Sequence, residues 1–183
     1  MNRHLMNLIL FFSLFAQAGH AQKIKTVEEY KALFDSITPL VKLVEKDSIR
    51  YVGKSFSEFV KQLDSHGLKI MQIWLGSDDR KVYPQHLYDV SVRFTTWEED
   101  GFASANYLSR PYILVLFAES KPYKEAEDLF IQYKGSFTEE VAAFYGDAVV
   151  QSLYCYCPDD IYFLRKQMEL RAKMEQRDRE KKE

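Results

Sequence analysis

Leu87-Tyr88-Asp89-Val90-Ser91-Val92-Arg93-Phe94-Thr95-Thr96-Trp97 is the stretch from which the fold is read. Tyr88, Val90, Val92 and Phe94 alternate with Asp89, Ser91, Arg93 and Thr95. That period of two places one set toward a core and the other on the opposite face of a strand. Two more strands are expected around it. Leu68–Leu75 is largely apolar on both faces, and Tyr112–Phe117 is apolar throughout, as a central strand is. Residues 76–86 and the run Glu98-Glu99-Asp100-Gly101 read as polar turns between them. Connections of this kind suit antiparallel pairing, because parallel neighbours need a long crossover. An antiparallel meander is therefore expected.

Helical signals flank this core. Thr26-Val27-Glu28-Glu29 is a capping box, and Val27, Tyr30, Leu33, Phe34 and Ile37 recur on one helical face behind it. Thr38-Pro39 reads as a restart, with Leu40, Leu43 and Val44 pointing inward from a second short helix. Ser55-Phe56-Ser57-Glu58 caps another helix with Phe56, Phe59, Val60 and Leu63 in its stripe, ended by Gly67. Further on, Ala126, Leu129, Phe130 and Tyr133 form a stripe ended by Gly135. Ser136-Phe137-Thr138-Glu139 opens the next helix, with Val141 and Phe144 inward and Gly146 at its end. Ala148–Cys157 reads as a last strand, with Val149, Leu153 and Cys155 on one face and Pro158 as its stop. From Asp160 a helix carries Phe163, Gln167, Leu170 and Met174 in register, and its last dozen residues are almost all charged. The expected fold is α+β, an antiparallel sheet of about four strands packed against helices. One domain over residues 22–170 would precede a charged helical tail at 171–183.

The first residues read as an address. Arg3 and His4 precede an apolar run from Leu5 to Phe15, followed by the small-residue steps Ala16-Gln17-Ala18 and Gly19-His20-Ala21. This is the pattern of a secretory signal peptide over residues 1–21, too short for a membrane span. Cleavage after Ala21 would leave Gln22 as the mature N-terminus, in a periplasmic or secreted protein. No cysteine lies near the site, so a lipoprotein anchor is not expected. No later apolar run is long enough to cross a bilayer.

Composition narrows the classes further. Hydrophobic residues at 46% and aromatics at 15% exclude a disordered chain. With 25 basic and 27 acidic residues the formal charge is −2, and loss of the leader's single basic residue makes it more negative. A nucleic-acid binder would carry a concentrated basic face, so none is expected as a partner.

Tyr51-Val52-Gly53-Lys54-Ser55-Phe56, then Leu63 and Gly67-Leu68-Lys69-Ile70, resembles the opening of a PASTA module. The resemblance covers about residues 50–118. It implies a helix turned by a Gly-Leu pair into a small sheet, and association with peptidoglycan or muropeptides, with no individual ligand residue to carry over. The whole chain also resembles small exported bacterial proteins with a Y-V-G-K-x-F step, which implies no activity.

Candidate chemistry is sparse. The aromatic residues Trp74, Tyr88, Trp97 and Tyr107 would line a sugar- or peptide-binding surface if exposed, and would be core otherwise. Cys155 and Cys157 sit two apart, with Cα atoms roughly 6.5–7 Å apart on one face of an extended segment. That is the outer limit for a disulfide. With His66 or His86 they would make a thiol-enzyme site, or read more blandly as small side chains packed under a helix. Their spacing lacks the tight ligand pairs of a zinc finger, so no metal and no cofactor is expected. Asp78 and Asp79 with Glu98, Glu99 and Asp100 would offer paired carboxylates for glycoside cleavage, or simply solvate the turns. There is no G-x-S-x-G elbow and no H-E-x-x-H. The expected function is an exported non-enzymatic binding protein of the bacterial envelope or periplasm, its ligand a cell-wall fragment or a protein. The alternative is an envelope hydrolase or thiol enzyme.

Overall fold

The computed structural model describes residues 24–76 and 85–180. The leader, the cleavage site and residues 77–84, which include Asp78, Asp79 and most of the turn expected at 76–86, lie outside the described residues. Thr26 caps α1 (Val27–Lys46), and a short 3-10 turn (Ser48–Arg50) leads to α2 (Phe56–Ser65), capped by Ser55. β1 (Gln72–Leu75) and β2 (His86–Arg93) follow, then α3 (Trp97–Ala105). β3 (Tyr112–Pro122) runs directly into α4 (Tyr123–Tyr133). The chain closes with α5 (Glu139–Tyr145), β4 (Val150–Tyr156) and α6 (Phe163–Glu180).

The four strands form one antiparallel sheet in sequence order, β1-β2-β3-β4, so the fold is α+β. No described helix is long and apolar enough to cross a membrane. One face of the sheet, with Ile73, Val90, Val92, Ile113, Val115 and Val150, meets α1, α2, α4 and α5 in the main core. Phe56 anchors it, edge-on to Phe117 at 5.8 Å and to Tyr145 at 5.9 Å. A second cluster of Tyr30, Phe34, Ala103, Leu108 and Ile161 ties the first half of α1 to α3 and to the segment entering α6.

Several expected boundaries move, each for a physical reason. The restart at Pro39 does not occur, and α1 runs through it for 20 residues. Proline costs a helix about 3 kcal/mol, but Ile37, Thr38, Val41 and Val44 are all buried and hold the second half in line. The strand opening the sequence reading stops at Arg93, and Glu98-Glu99-Asp100-Gly101 is the first part of α3 instead of a turn. The overlooked signal is a capping box in which Thr96 Oγ1 accepts from Glu99 N and the Glu99 carboxylate returns to Thr96 N. A register shift between Leu87 and Asp89 puts Leu87 in the core in place of Tyr88. A second shift, at Leu116/Phe117, leaves Val149 exposed and Val150 buried.

Two helix expectations also change. α5 begins after Thr138, whose hydroxyl caps Val141 N, while Ser136 bridges to Gln72 at the sheet edge. In α6, Phe163, Leu170 and Met174 are exposed, and docking is done by Ile161, Tyr162 and Leu164.

Candidate functional site

The sheet face opposite the core is set by alternation along the strands. Its first row runs Gln72, Arg93, Tyr112, Tyr156 across all four strands, and its second runs Trp74, Ser91, Leu114, Tyr154. Asp89, Leu116 and Ser152 make a third. None of these side chains joins either core cluster. Gln72 is buried and the others are half-buried or exposed, Tyr154 at 60%. Among the described residues this face joins neither core, and it carries aromatic and leucine side chains where a solvated face would carry short polar ones.

Across its lower edge the side chains stack. Trp97, at the start of α3, lies 4.9 Å from Trp74. The Arg93 guanidinium is 4.3 Å from the Trp74 ring centroid and 5.9 Å from that of Tyr112. Tyr112 then stacks on Tyr156 at 5.0 Å and 25°. Such contacts between a cation and ring faces are worth about 0.5–2 kcal/mol each. The ladder is therefore Trp97, Trp74, Arg93, Tyr112, Tyr156.

A buried polar chain fixes it from beneath. Arg93 pairs with Asp100, whose other oxygen accepts from Thr95 Oγ1 at 2.7 Å, while Arg110 stands 3.9 Å away. Gln72 Nε2 donates to the Thr95 carbonyl at 2.7 Å, and Trp74 Nε1 donates to Gln72 Oε1 at 3.0 Å. Asp100 also sits in the first turns of α3, where the helix dipole favours a carboxylate. Arg93 Nε is buried without a hydrogen-bond partner, so the guanidinium is held by its ion pair and its two rings.

At the Trp97 end the ladder borders a cleft of about 420 Å³. Lys69–Gln72 line it from below, Thr96, Trp97 and Glu98 from one side, Ser136 and Phe137 from the other.

Of the four aromatics singled out from sequence, Trp74 and Trp97 come together. Tyr88 is half-buried on β2 beside the register shift, its ring 6.1 Å from that of His86. Tyr107 is exposed at the far end of α3 in a left-handed conformation (φ 53°), over a separate recess shared with Arg110 and Met168. Sequence reading missed Arg93, Tyr112, Tyr154 and Tyr156. Alternation in β3 and β4 puts the tyrosines on one face of each strand: Tyr112, Leu114 and Leu116 share one, as do Ser152, Tyr154 and Tyr156.

The thiol constellation is not assembled. Cys155 and Cys157 are both free. Cys155 packs against the core, and Cys157 Sγ lies 3.6 Å from Glu45 Oε2. Burial, then the Glu45 carboxylate, pushes the Cys155 thiol up to about 12 and the Cys157 thiol up to about 11. These are protonated, unactivated sulfurs at neutral pH. Cys155 pairs with Ile113 and His86 with Pro122, at opposite ends of β3. His86 Nδ1 instead meets Ser120 Oγ at 2.9 Å, and His66 is the exposed C-cap of α2. Among the described residues no group of three or more His, Cys, Asp or Glu side chains is placed to hold a metal ion. Asp100, one of the carboxylates considered for hydrolysis, is committed to its buried ion pair.

Compared with protein-family models, with curated proteins and with solved structures, the chain matches none.

Proposed function

We propose that this chain is an exported, non-enzymatic binding protein of the bacterial envelope that engages a protein ligand through the open sheet face. The observation that carries the reading is the row Arg93, Tyr112, Tyr156 with Trp74 and Trp97 packed together at its end. Trp, Tyr and Arg are the residues enriched at the energetic centres of protein interfaces. Tyr112 and Tyr156 turn their ring faces toward each other and the guanidinium is committed to Trp74 and Asp100, so ring edges and the tyrosine hydroxyls are what remains for a partner. A sugar stacks on a free ring face, which makes a protein the better-suited ligand than a glycan strand. The signal-like leader and the PASTA-like helix-to-strand step support the compartment.

The test is a pull-down with the purified exported protein against envelope extract and against peptidoglycan. The side-by-side comparison uses Tyr154→Glu, an exposed position whose change leaves the core untouched. Retention of an envelope protein by the parent, lost in Tyr154→Glu, supports the reading. Retention of nothing above control, or equal retention by the variant, overturns it.

A further inference from the structure

The ladder ends in a cleft whose floor has an unusual feature. The N–H of Leu68 donates to Leu63 O at 2.9 Å, and main-chain hydrogen bonding resumes at Met71. Met71 N donates to Arg93 O at 2.8 Å, and Met71 O accepts from Phe137 N at 3.0 Å. Between them, the main chains of Lys69 and Ile70 make no hydrogen bond to any other described residue. Ile70 is only 3% exposed, so its main-chain groups are largely screened from bulk water, whereas Lys69 is exposed. Buried main-chain donors and acceptors are almost always paired, and one left unpaired costs about 1–3 kcal/mol.

From this gap we propose that the cleft takes an extended segment of a partner protein, hydrogen-bonded through its own main chain to Lys69 and Ile70. The inference rests on the binding-protein reading above and names where the partner's chain would lie. A peptide main chain supplies donors and acceptors at the spacing that a short unpaired stretch beside β1 requires, which is the logic of strand addition at a sheet edge. The walls suit side chains from such a segment. Met71, Trp97 and Phe137 provide apolar contact, and the exposed Lys69 and Glu98 provide one charge of each sign. The volume of about 420 Å³ is that of a small-ligand pocket, enough for a few residues of a longer chain. Continuity with the ladder through Trp97 and Gln72 lets the rest of the partner lie on the open face.

The experiment selects random linear peptides displayed on phage against the purified exported protein, then measures affinities of the enriched peptides by calorimetry. Lys69→Ala, which keeps the main chain and removes only the side-chain charge, should weaken binding far less than Lys69→Pro does. Lys69→Pro, which deletes one N–H, and Trp97→Ala should each weaken binding at least tenfold. If Lys69→Pro fails to fold, methylating the amide nitrogens of a selected peptide one at a time gives the same readout from the ligand side, and a tenfold loss at one or two positions is expected. No enriched peptide, or peptides indifferent to N-methylation and to Trp97→Ala, overturns the proposal. Displacement of the selected peptides by muropeptides at equal concentration overturns the commitment to a protein segment. An envelope partner lost on Tyr154→Glu but unaffected by Lys69→Pro overturns the cleft while leaving the open-face reading in place.

Discussion

The guanidinium of Arg93 lies 4.3 Å from the ring centroid of Trp74 while its terminal nitrogen pairs with Asp100, a carboxylate only 4% exposed. One side chain thus joins the open face to the buried polar chain beneath it. An arginine suits this position because it stacks on a ring and ion-pairs at the same time, which a lysine does not.

Removing that arginine should be costly. Arg93→Met keeps much of the apolar stem but leaves Asp100 buried, with Thr95 and a distant Arg110 as its remaining partners. Breaking a buried pair in this way costs about 3–5 kcal/mol. Urea unfolding should show a loss of that order for Arg93→Met, and a smaller one for the double variant Arg93→Met, Asp100→Asn, which removes the stranded charge. A double variant no better than the single would mean that Asp100 is adequately held without Arg93.

Gly135 should tolerate no side chain. Its φ is +70°, which costs an L-residue about 1 kcal/mol. An added Cβ would also stand 2.7 Å from Phe130 and 3.0 Å from Trp97. Both rings belong to the cluster around Trp74, since Phe130 lies 6.0 Å from it and Trp97 4.9 Å. Gly135→Ala is expected to lose about 2 kcal/mol or more by urea unfolding and to change the tryptophan emission of the folded protein. Unchanged emission would mean that the cluster relaxes without moving either indole.

The two thiols give a pH dependence of defined sign. Their pKa values are raised in the folded state, to about 12 for Cys155 and about 11 for Cys157, against about 8.5 in an unfolded chain. The folded state therefore holds their protons longer. Their contribution to stability is complete below about pH 8.5 and is lost as pH rises through 11 to 12. Burial also raises the phenols of Tyr30 and Tyr145, which adds to the same alkaline loss. Stability measured from pH 8 to 11 should fall, and less steeply in the Cys155→Ala, Cys157→Ala variant. Alkylation at pH 7.5 should be slow for the native protein and fast in denaturant, and a rapid native reaction at either cysteine would contradict the burial described.

The parts of this fold that were legible in the sequence are those where a local signal and the tertiary packing agree. The caps at Thr26 and Ser55 and the alternation of Val90 and Val92 with Ser91 and Arg93 each specify one conformation, and the packing uses it. Pro39 shows the opposite case, since a strong local break is overridden by buried Ile37 and Val41 on either side of it. The Thr96–Glu99 cap was available but lay beneath a strand pattern in which Phe94 continued the alternation of Val90 and Val92 and apolar Trp97 followed closely. The binding face was the least legible. Tyr112, Tyr154 and Tyr156 acquire meaning only when three strands are in register, and the pairing of Arg93 with Asp100 depends on α3 folding back over the strand it follows.

The charged tail separates fold from appendage. Ile161 is 3% exposed, and its carbonyl accepts from Ser109 N at 2.8 Å, so the segment entering α6 belongs to the second core cluster. Beyond it, Leu170 is 61% and Met174 57% exposed, and burial of a large apolar side chain is what would otherwise supply about 1.5–3 kcal/mol of docking. A short helix without such contacts is marginal in water. A chain ending at Arg171 should therefore unfold within about 1 kcal/mol of the full protein, because Met174, the one large apolar side chain removed, is mostly exposed. A chain ending at Pro158 loses Ile161, Tyr162 and Leu164 together and should be destabilised by several kcal/mol, on the scale of emptying part of a core. Urea midpoints of the two truncations decide it: equal loss would place the exposed face of α6 in an interface between copies of the chain, which sedimentation of the full protein would then reveal.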